Sequence, residues 1–129
     1  MIEANSNLQF FSWSITNCKY AIKIIDKSVI KYGETVIPIE IRNFFEIDGY
    51  TFGDEIDIIF LYKEEEFNSV IKFENNNRSK LKLGKEINER ILLSTKELFI
   101  EDDYSISNIN MVFRKLSKNK YELKIVKEL

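Results

Sequence analysis

The sequence predicts a mainly β domain: one barrel of seven short strands, open or closed, with two short helices at its ends. Three observations lead there. Apolar and polar residues alternate with period two in several segments, most cleanly over residues 54–63, where Ile56, Ile58, Phe60 and Tyr62 share a face. Polar bends at 64–66, 75–77 and 117–120 separate such segments. The third is the number of short strands, which would leave unpaired edges unless the sheet closed on itself; one proline and four glycines fit a packed globule rather than a disordered or fibrous chain.

In chain order, residues 9–15 carry Phe10, Phe11 and Trp13 and read as a first strand or a packed arm, making 1–18 an N-terminal arm and 19–129 the domain proper. Residues 20–25 set Tyr20, Ile22 and Ile24 against Ala21 and Lys23, a half-buried strand with the isoleucines inward. Residues 27–34 read as a basic loop. A second strand over 35–38 stops at Pro38, which cannot donate to a ladder and suits the first turn of a helix. Ile41, Phe44 and Phe45 then recur at helical spacing, predicting a short helix over 39–45, and Asp48 with Gly49 signals a turn. Residues 54–63 and 67–73 form a hairpin, and Leu81 and Leu83 mark the next strand. Ile87 and Ile91 share one side of a helix over 85–93, and Ser94 with Glu97 has capping-box spacing for a further turn. Residues 106–114 and 121–126 close the chain as a last hairpin. The expected core is Ile22, Ile24, Val36, Ile41, Phe44, Ile58, Phe60, Ile71, Phe73, Leu83, Ile91, Met111, Phe113, Leu123 and Ile125.

At 129 residues and 44% hydrophobic content, the chain fits one packed domain. It has no apolar run of about 18 residues, and its N-terminus lacks a signal-peptide pattern. A soluble, cytoplasmic protein with no membrane partner is expected. Cys18 is the sole cysteine and histidine is absent, which excludes an internal disulfide and removes the usual ligands for zinc, copper or haem. No metal or cofactor is expected. The net charge is −2, yet the signs are segregated along the chain. Acids gather at Asp54, Glu55 and Asp57, at 64–66 and at 101–103. Lys19, Lys23, Lys27 and Lys31 line one segment, and Arg78, Lys80, Lys82 and Lys85 another. A local field of one sign steers a ligand more than the net charge does.

Both basic segments carry chemistry suited to a polyanion. Lysine and arginine neutralise phosphates and release counterions, arginine pairs with guanine, and asparagine pairs with adenine. An ordinary polar turn also favours asparagine, and Asp26 and Glu34 flank the first segment, so each segment alone fits a solvated loop. Catalysis has less to draw on. Histidine, the commonest general base, is missing, and Cys18 has no visible activating partner. Asp54 and Glu55 fall on opposite faces of their strand, so a non-enzymatic role is expected. Phe10, Phe11 and Trp13 would serve a protein-interaction barrel if exposed, and the core if buried.

The order of elements (strand, basic loop, strand ending VIP, helix ending FF, hairpin, second basic loop with LKLGK, helix, hairpin) resembles the DNA-binding pseudobarrel family. That family includes plant B-three-type barrels and the effector-binding or target-recognition domains of EcoRII-type restriction endonucleases. The resemblance spans roughly 19–126 and is carried by VIPIEIRNFF at 36–45, NRSKLKL at 77–83 and MVFRKLSKNKYELKI at 111–125. It implies a seven-stranded pseudobarrel that recognises double-stranded DNA in a sequence-specific manner, within a restriction-modification system and beside a nuclease or motor subunit. It also implies two loops that enter the major groove like the jaws of a wrench. Here these would be Lys27, Ser28, Lys31, Tyr32 and Thr35 on one side, and Asn75, Asn76, Asn77, Arg78, Ser79 and Lys80 on the other. A shorter stretch, GETVIPIEIRNFFEI at 33–47 followed by GDEIDI at 53–58, is similar to the AbrB-type swapped-hairpin regulators. That second resemblance implies a DNA-binding transcriptional regulator and leaves the C-terminal half unexplained.

Overall fold

A computed structural model describes residues 7–16, 19–75, 78–101 and 109–127. Among them nine strands pair into one sheet: β1 (Asn7–Phe10), β2 (Trp13–Thr16), β3 (Tyr20–Ile24), β4 (Glu34–Ile37), β5 (Glu55–Tyr62), β6 (Glu65–Asn75), β7 (Arg78–Leu83), β8 (Ile109–Ser117) and β9 (Lys120–Lys127). Their spatial order is β1-β2-β3-β8-β9-β5-β6-β7-β4. Neighbours are antiparallel except β5 and β9, which run parallel through Ile59↔Lys120, Phe60↔Tyr121 and Leu61↔Glu122. The described residues also form two helices, α1 (Lys27–Tyr32) and α2 (Lys85–Glu101), and a 3-10 turn at Ile39–Ile41.

The mainly β class matches the expectation, and β3 to β9 are its seven strands. The excess comes from the N-terminus. Residues expected to form one strand or arm instead reverse at Phe11, whose φ is 61°, and make the hairpin β1–β2, which joins the sheet through β3. This hairpin brings the sheet's two ends together. Trp13 of β2 donates its indole N–H to the Val36 carbonyl of β4 at 3.0 Å, so the sheet curls into a half-barrel whose open seam is bridged between those strands. Trp13 is therefore core, not an exposed aromatic; its ring stacks on Phe113 at 5.6 Å and meets Phe45 edge-on at 5.9 Å.

Two strands carry the opposite phase from that expected. On β3, Ala21 and Lys23 face inward while Ile22 and Ile24 are half-buried; on β4, Thr35 and Ile37 are inside and Val36 is exposed. Alternation supplies a period, and an isoleucine is tolerated on either face, so the register with β8 and β7 decides. Elsewhere the expected core holds for Ile41, Phe44, Ile58, Phe60, Ile71, Phe73, Ile91, Met111, Phe113 and Leu123, all buried, while Leu83 and Ile125 are half-buried. Phe45, Ile47, Ile87 and Tyr121 are buried as well. Burial pushes the Tyr121 phenol up, with the charge of Glu46 adding to it, and its hydroxyl donates to the Phe44 carbonyl at 3.2 Å.

The helices also depart from the sequence reading. Residues 39–45 form a 3-10 turn followed by further turns, enough to insert Ile41, Phe44, Phe45 and Ile47 into the barrel. α2 runs on to Glu101 and absorbs the expected capping box at Ser94; it lies against β6 and β9. Its entry is tight. Gly84 donates its N–H to Ser69 Oγ at 3.0 Å, and a Cβ at Gly84 would collide with the Asn68 carbonyl oxygen. Backbone cannot yield as a flexible side chain can, so Gly84→Ala should cost about 2 kcal/mol, read as a lower urea midpoint at unchanged slope.

Candidate nucleic-acid interface

The first basic segment is a helix, not a loop. Asp26 caps α1, its carboxylate accepting from the N–H groups of Ser28 (3.1 Å) and Val29 (3.2 Å). Gly33 ends it at φ 67°, the left-handed conformation in which glycine alone is unstrained. Val29 anchors the helix in the core, and Lys27, Ser28, Lys31 and Tyr32 are exposed, with the Lys31 ammonium 5.5 Å from the Tyr32 ring centre. Lys23, counted with these lysines from sequence, is instead fully buried. Its ammonium donates to Ser12 Oγ at 2.7 Å, the Ile24 carbonyl at 2.8 Å and Asp26 Oδ2 at 2.7 Å, tying the β1–β2 turn to the cap of α1.

The second segment lies at the β6–β7 turn. Asn75 and Arg78 are exposed, and Asn76 and Asn77 lie outside the described residues. Register relates the two segments. β4 pairs with β7 through Glu34↔Lys82 at one end and Ile37↔Ser79 at the other. α1 enters at the first end and the β6–β7 turn stands at the second, so the two segments flank opposite ends of this strand pair. A four-residue strand such as β4 spans roughly 13 Å, comparable to the major-groove width of about 12 Å. Between them the outer face of the sheet carries Val36, Lys80 and Lys72 in one row and Glu34, Lys82 and Val70 in the next. Thr35 and Ser79, expected among the contacts, point inward and are 6% and 0% exposed. Lys72, not among the residues expected from sequence, is placed opposite Lys80 by the β6–β7 register.

Three cations on this face, Lys72, Arg78 and Lys80, are engaged by acids. Lys80 pairs with Glu34 at 2.7 Å and with Glu74 at 3.1 Å; Arg78 Nε donates to Glu74 at 2.9 Å; Lys72 lies 3.5 Å from Glu55. The Lys80 hydrogen bond, followed by Arg78, holds the Glu74 carboxyl below its ordinary range, and hydrogen bonds to Glu34 and Glu74 push the Lys80 ammonium up. Both effects keep Glu74 and Lys80 ionised. Arg42, reaching up from the 3-10 turn, sits over the Phe73 ring at 4.8 Å and donates to Ser79 Oγ at 3.3 Å, fixing the start of β7 from within.

Other chemistry is sparser. Asp54 accepts from the Thr51 N–H at 2.8 Å as a turn cap, and among the described residues there is no cluster of three or more histidine, cysteine, aspartate or glutamate side chains that could hold a metal. A cleft of about 650 Å³ opens beside Tyr62, Lys63, Ser94, Leu123 and Val126, and it shares no residue with the basic segments. No described helix is long and apolar enough to cross a membrane. In the stretch resembling the AbrB type, β4 and β5 do not pair with each other: β4 pairs with β7, and β5 with β6 and β9.

No protein-family model matches the chain, and no curated protein does. A solved structure is similar: the N-terminal domain of Helicobacter pylori LlaJI.R1, at a TM-score of 0.58 and 21% identity over 84% of this chain and 80% of that one. The likeness is one of fold.

Proposed function

We propose that this chain is a sequence-specific recognition module for double-stranded DNA, acting without catalysis of its own in a restriction-modification system, beside a nuclease or motor subunit. The observation that carries the reading is the outer face of β4–β7–β6, bounded at one end by Lys27, Lys31 and Tyr32 of α1 and at the other by Asn75 and Arg78. Its span suits a groove, and its side chains combine phosphate neutralisers with base readers. The similar fold of the N-terminal domain of LlaJI.R1 supports the setting. Lys27, Ser28, Lys31 and Lys80 contact phosphate in this reading, and Arg78 and Asn75 read bases. Thr35 and Ser79 hold the strand pair from within.

Binding to a random duplex should weaken steeply between low and moderate salt, and Lys31→Ala should weaken all sequences alike while lowering the salt slope by about one. Arg78→Ala should instead relax preference at one base position of a duplex enriched from a random pool. Fluorescence anisotropy over a salt series reads both. Failure of the parent chain to bind any duplex at low salt would refute the proposal.

A further inference from the structure

The candidate face is electrically self-compensated, which a simple wrench would not need. Lys72, Arg78, Lys80 and Lys82 stand among Glu34, Glu55, Asp57 and Glu74. Glu34, Glu55 and Glu74 are engaged, and in a specific pattern. Glu74 bridges Arg78 and Lys80, and Glu34 takes Lys80 from the other side, so one chain of ion pairs, Arg78–Glu74–Lys80–Glu34, runs from the β6–β7 turn across β7 to the residue that follows α1 and Gly33. Lys80 is the middle link and only a fifth exposed, while Arg78 and Glu74 are about half exposed. Two of the cations assigned above to DNA contact are thus already held by carboxylates in the free protein.

We propose, resting on the DNA-recognition reading, that Glu74 and Glu34 form an electrostatic filter that suppresses binding to non-cognate duplex. Exchanging a carboxylate for a phosphate oxygen leaves the number of charged contacts unchanged. The phosphate releases its condensed cation, but the loss of the existing ion pair and the repulsion between the freed carboxylate and neighbouring phosphates offset that gain in entropy. Non-specific affinity, which is essentially that entropy, is therefore held down. A cognate site adds what a random one lacks, a bidentate base edge for Arg78, and that contact can outweigh the lost pair with Glu74. Carboxylates placed this way raise the ratio of specific to non-specific binding at the expense of absolute affinity, the usual form of discrimination by an unfavourable element.

The test uses the full chain, a labelled random-sequence duplex and a duplex enriched from a random pool, each titrated over a salt series. Glu74→Gln keeps the side chain's length and removes its charge, releasing Arg78 from its ion pair with Glu74 and Lys80 from one of two. It should tighten random-duplex binding about fivefold at low salt, steepen the salt slope by about one to two, and narrow the gap between enriched and random duplexes. Glu34→Gln should act in the same direction with about half the change in slope, because Lys80 retains Glu74. Both glutamates are at the surface, and unchanged circular dichroism verifies the fold of each variant. If the parent discriminates between the duplexes and Glu74→Gln leaves slope and ratio unchanged, the filter is wrong and the DNA reading stands. If Glu74→Gln weakens both duplexes, the carboxylate positions Arg78 instead, and the filter is again wrong. If the parent binds neither duplex, both proposals are overturned together.

Discussion

Trp13→Ala is expected to lower the stability of the fold by about 3–5 kcal/mol, the range for emptying a buried aromatic site. The residue is 1% exposed and sits where the two ends of the curled sheet meet. Truncation removes the packing on Phe113 and Phe45 and strips the Val36 carbonyl of the indole N–H across the seam. Trp13→Phe separates these effects: most of the ring stays, the hydrogen bond goes, and the loss should shrink to about 1–2 kcal/mol. Because Trp13 is the chain's only tryptophan, unfolding in urea must be followed by far-UV circular dichroism rather than by indole fluorescence. A midpoint for Trp13→Ala close to that of the parent would show that the seam is held by something else.

What was legible in the sequence follows from how local the deciding interaction is. β5–β6 and β8–β9 were readable because each hairpin partner lies a few residues away, and a polar bend between alternating runs nearly dictates the pairing. β3 was found with its faces exchanged. Its phase is set by β8, some ninety residues on, and by Ser12 in the preceding turn, which accepts from the ammonium of an inward lysine that no hydropathy pattern would bury. α1 escaped for a different reason. With six residues and one buried side chain, Val29, it is too short to show a period, although its cap and stop, Asp26 and Gly33, stand in the sequence.

The candidate face shows the same limit. Composition found the basic segments, and the residue types at Lys27, Lys31, Asn75 and Arg78 proved exposed. Their compensation was invisible, because Lys80 meets Glu34 across 46 residues of sequence and meets Glu74 through the β6–β7 register. A charge read along the chain is thus a poor guide to a field over a surface. The inward turn of Thr35 and Ser79 has the same origin: a one-residue change of phase moves every side chain of a strand to the other face.

Asp26→Asn should cost about 3 kcal/mol at neutral pH, the low end of the range for breaking a buried pair, since the Asp26 side is 45% exposed and water screens it. Asparagine caps a helix as well as aspartate does, so the loss reports the charge and not the cap. The pH dependence identifies its source. Burial alone would raise the Asp26 carboxyl, but the Lys23 ammonium and the Val29 and Ser28 N–H groups outweigh it and hold the carboxyl below its ordinary value. A lowered carboxyl contributes stability that is fully present above its unfolded value of about 3.9 and is lost as pH falls through the folded value. The parent should therefore lose stability at acid pH through this group, and Asp26→Asn should lack that component. Lys23 behaves oppositely. Burial pulls its ammonium down and Asp26 opposes this, so the folded state pays for a buried charge until rising pH approaches the lowered value, where the cost begins to lift. Without Asp26 that relief should begin at lower pH, so the variant should recover stability relative to the parent on the alkaline side. Urea midpoints collected from acid to alkaline pH distinguish the outcomes, and a variant that tracks the parent at every pH would mean that Lys23 is satisfied by Ser12 and the Ile24 carbonyl alone.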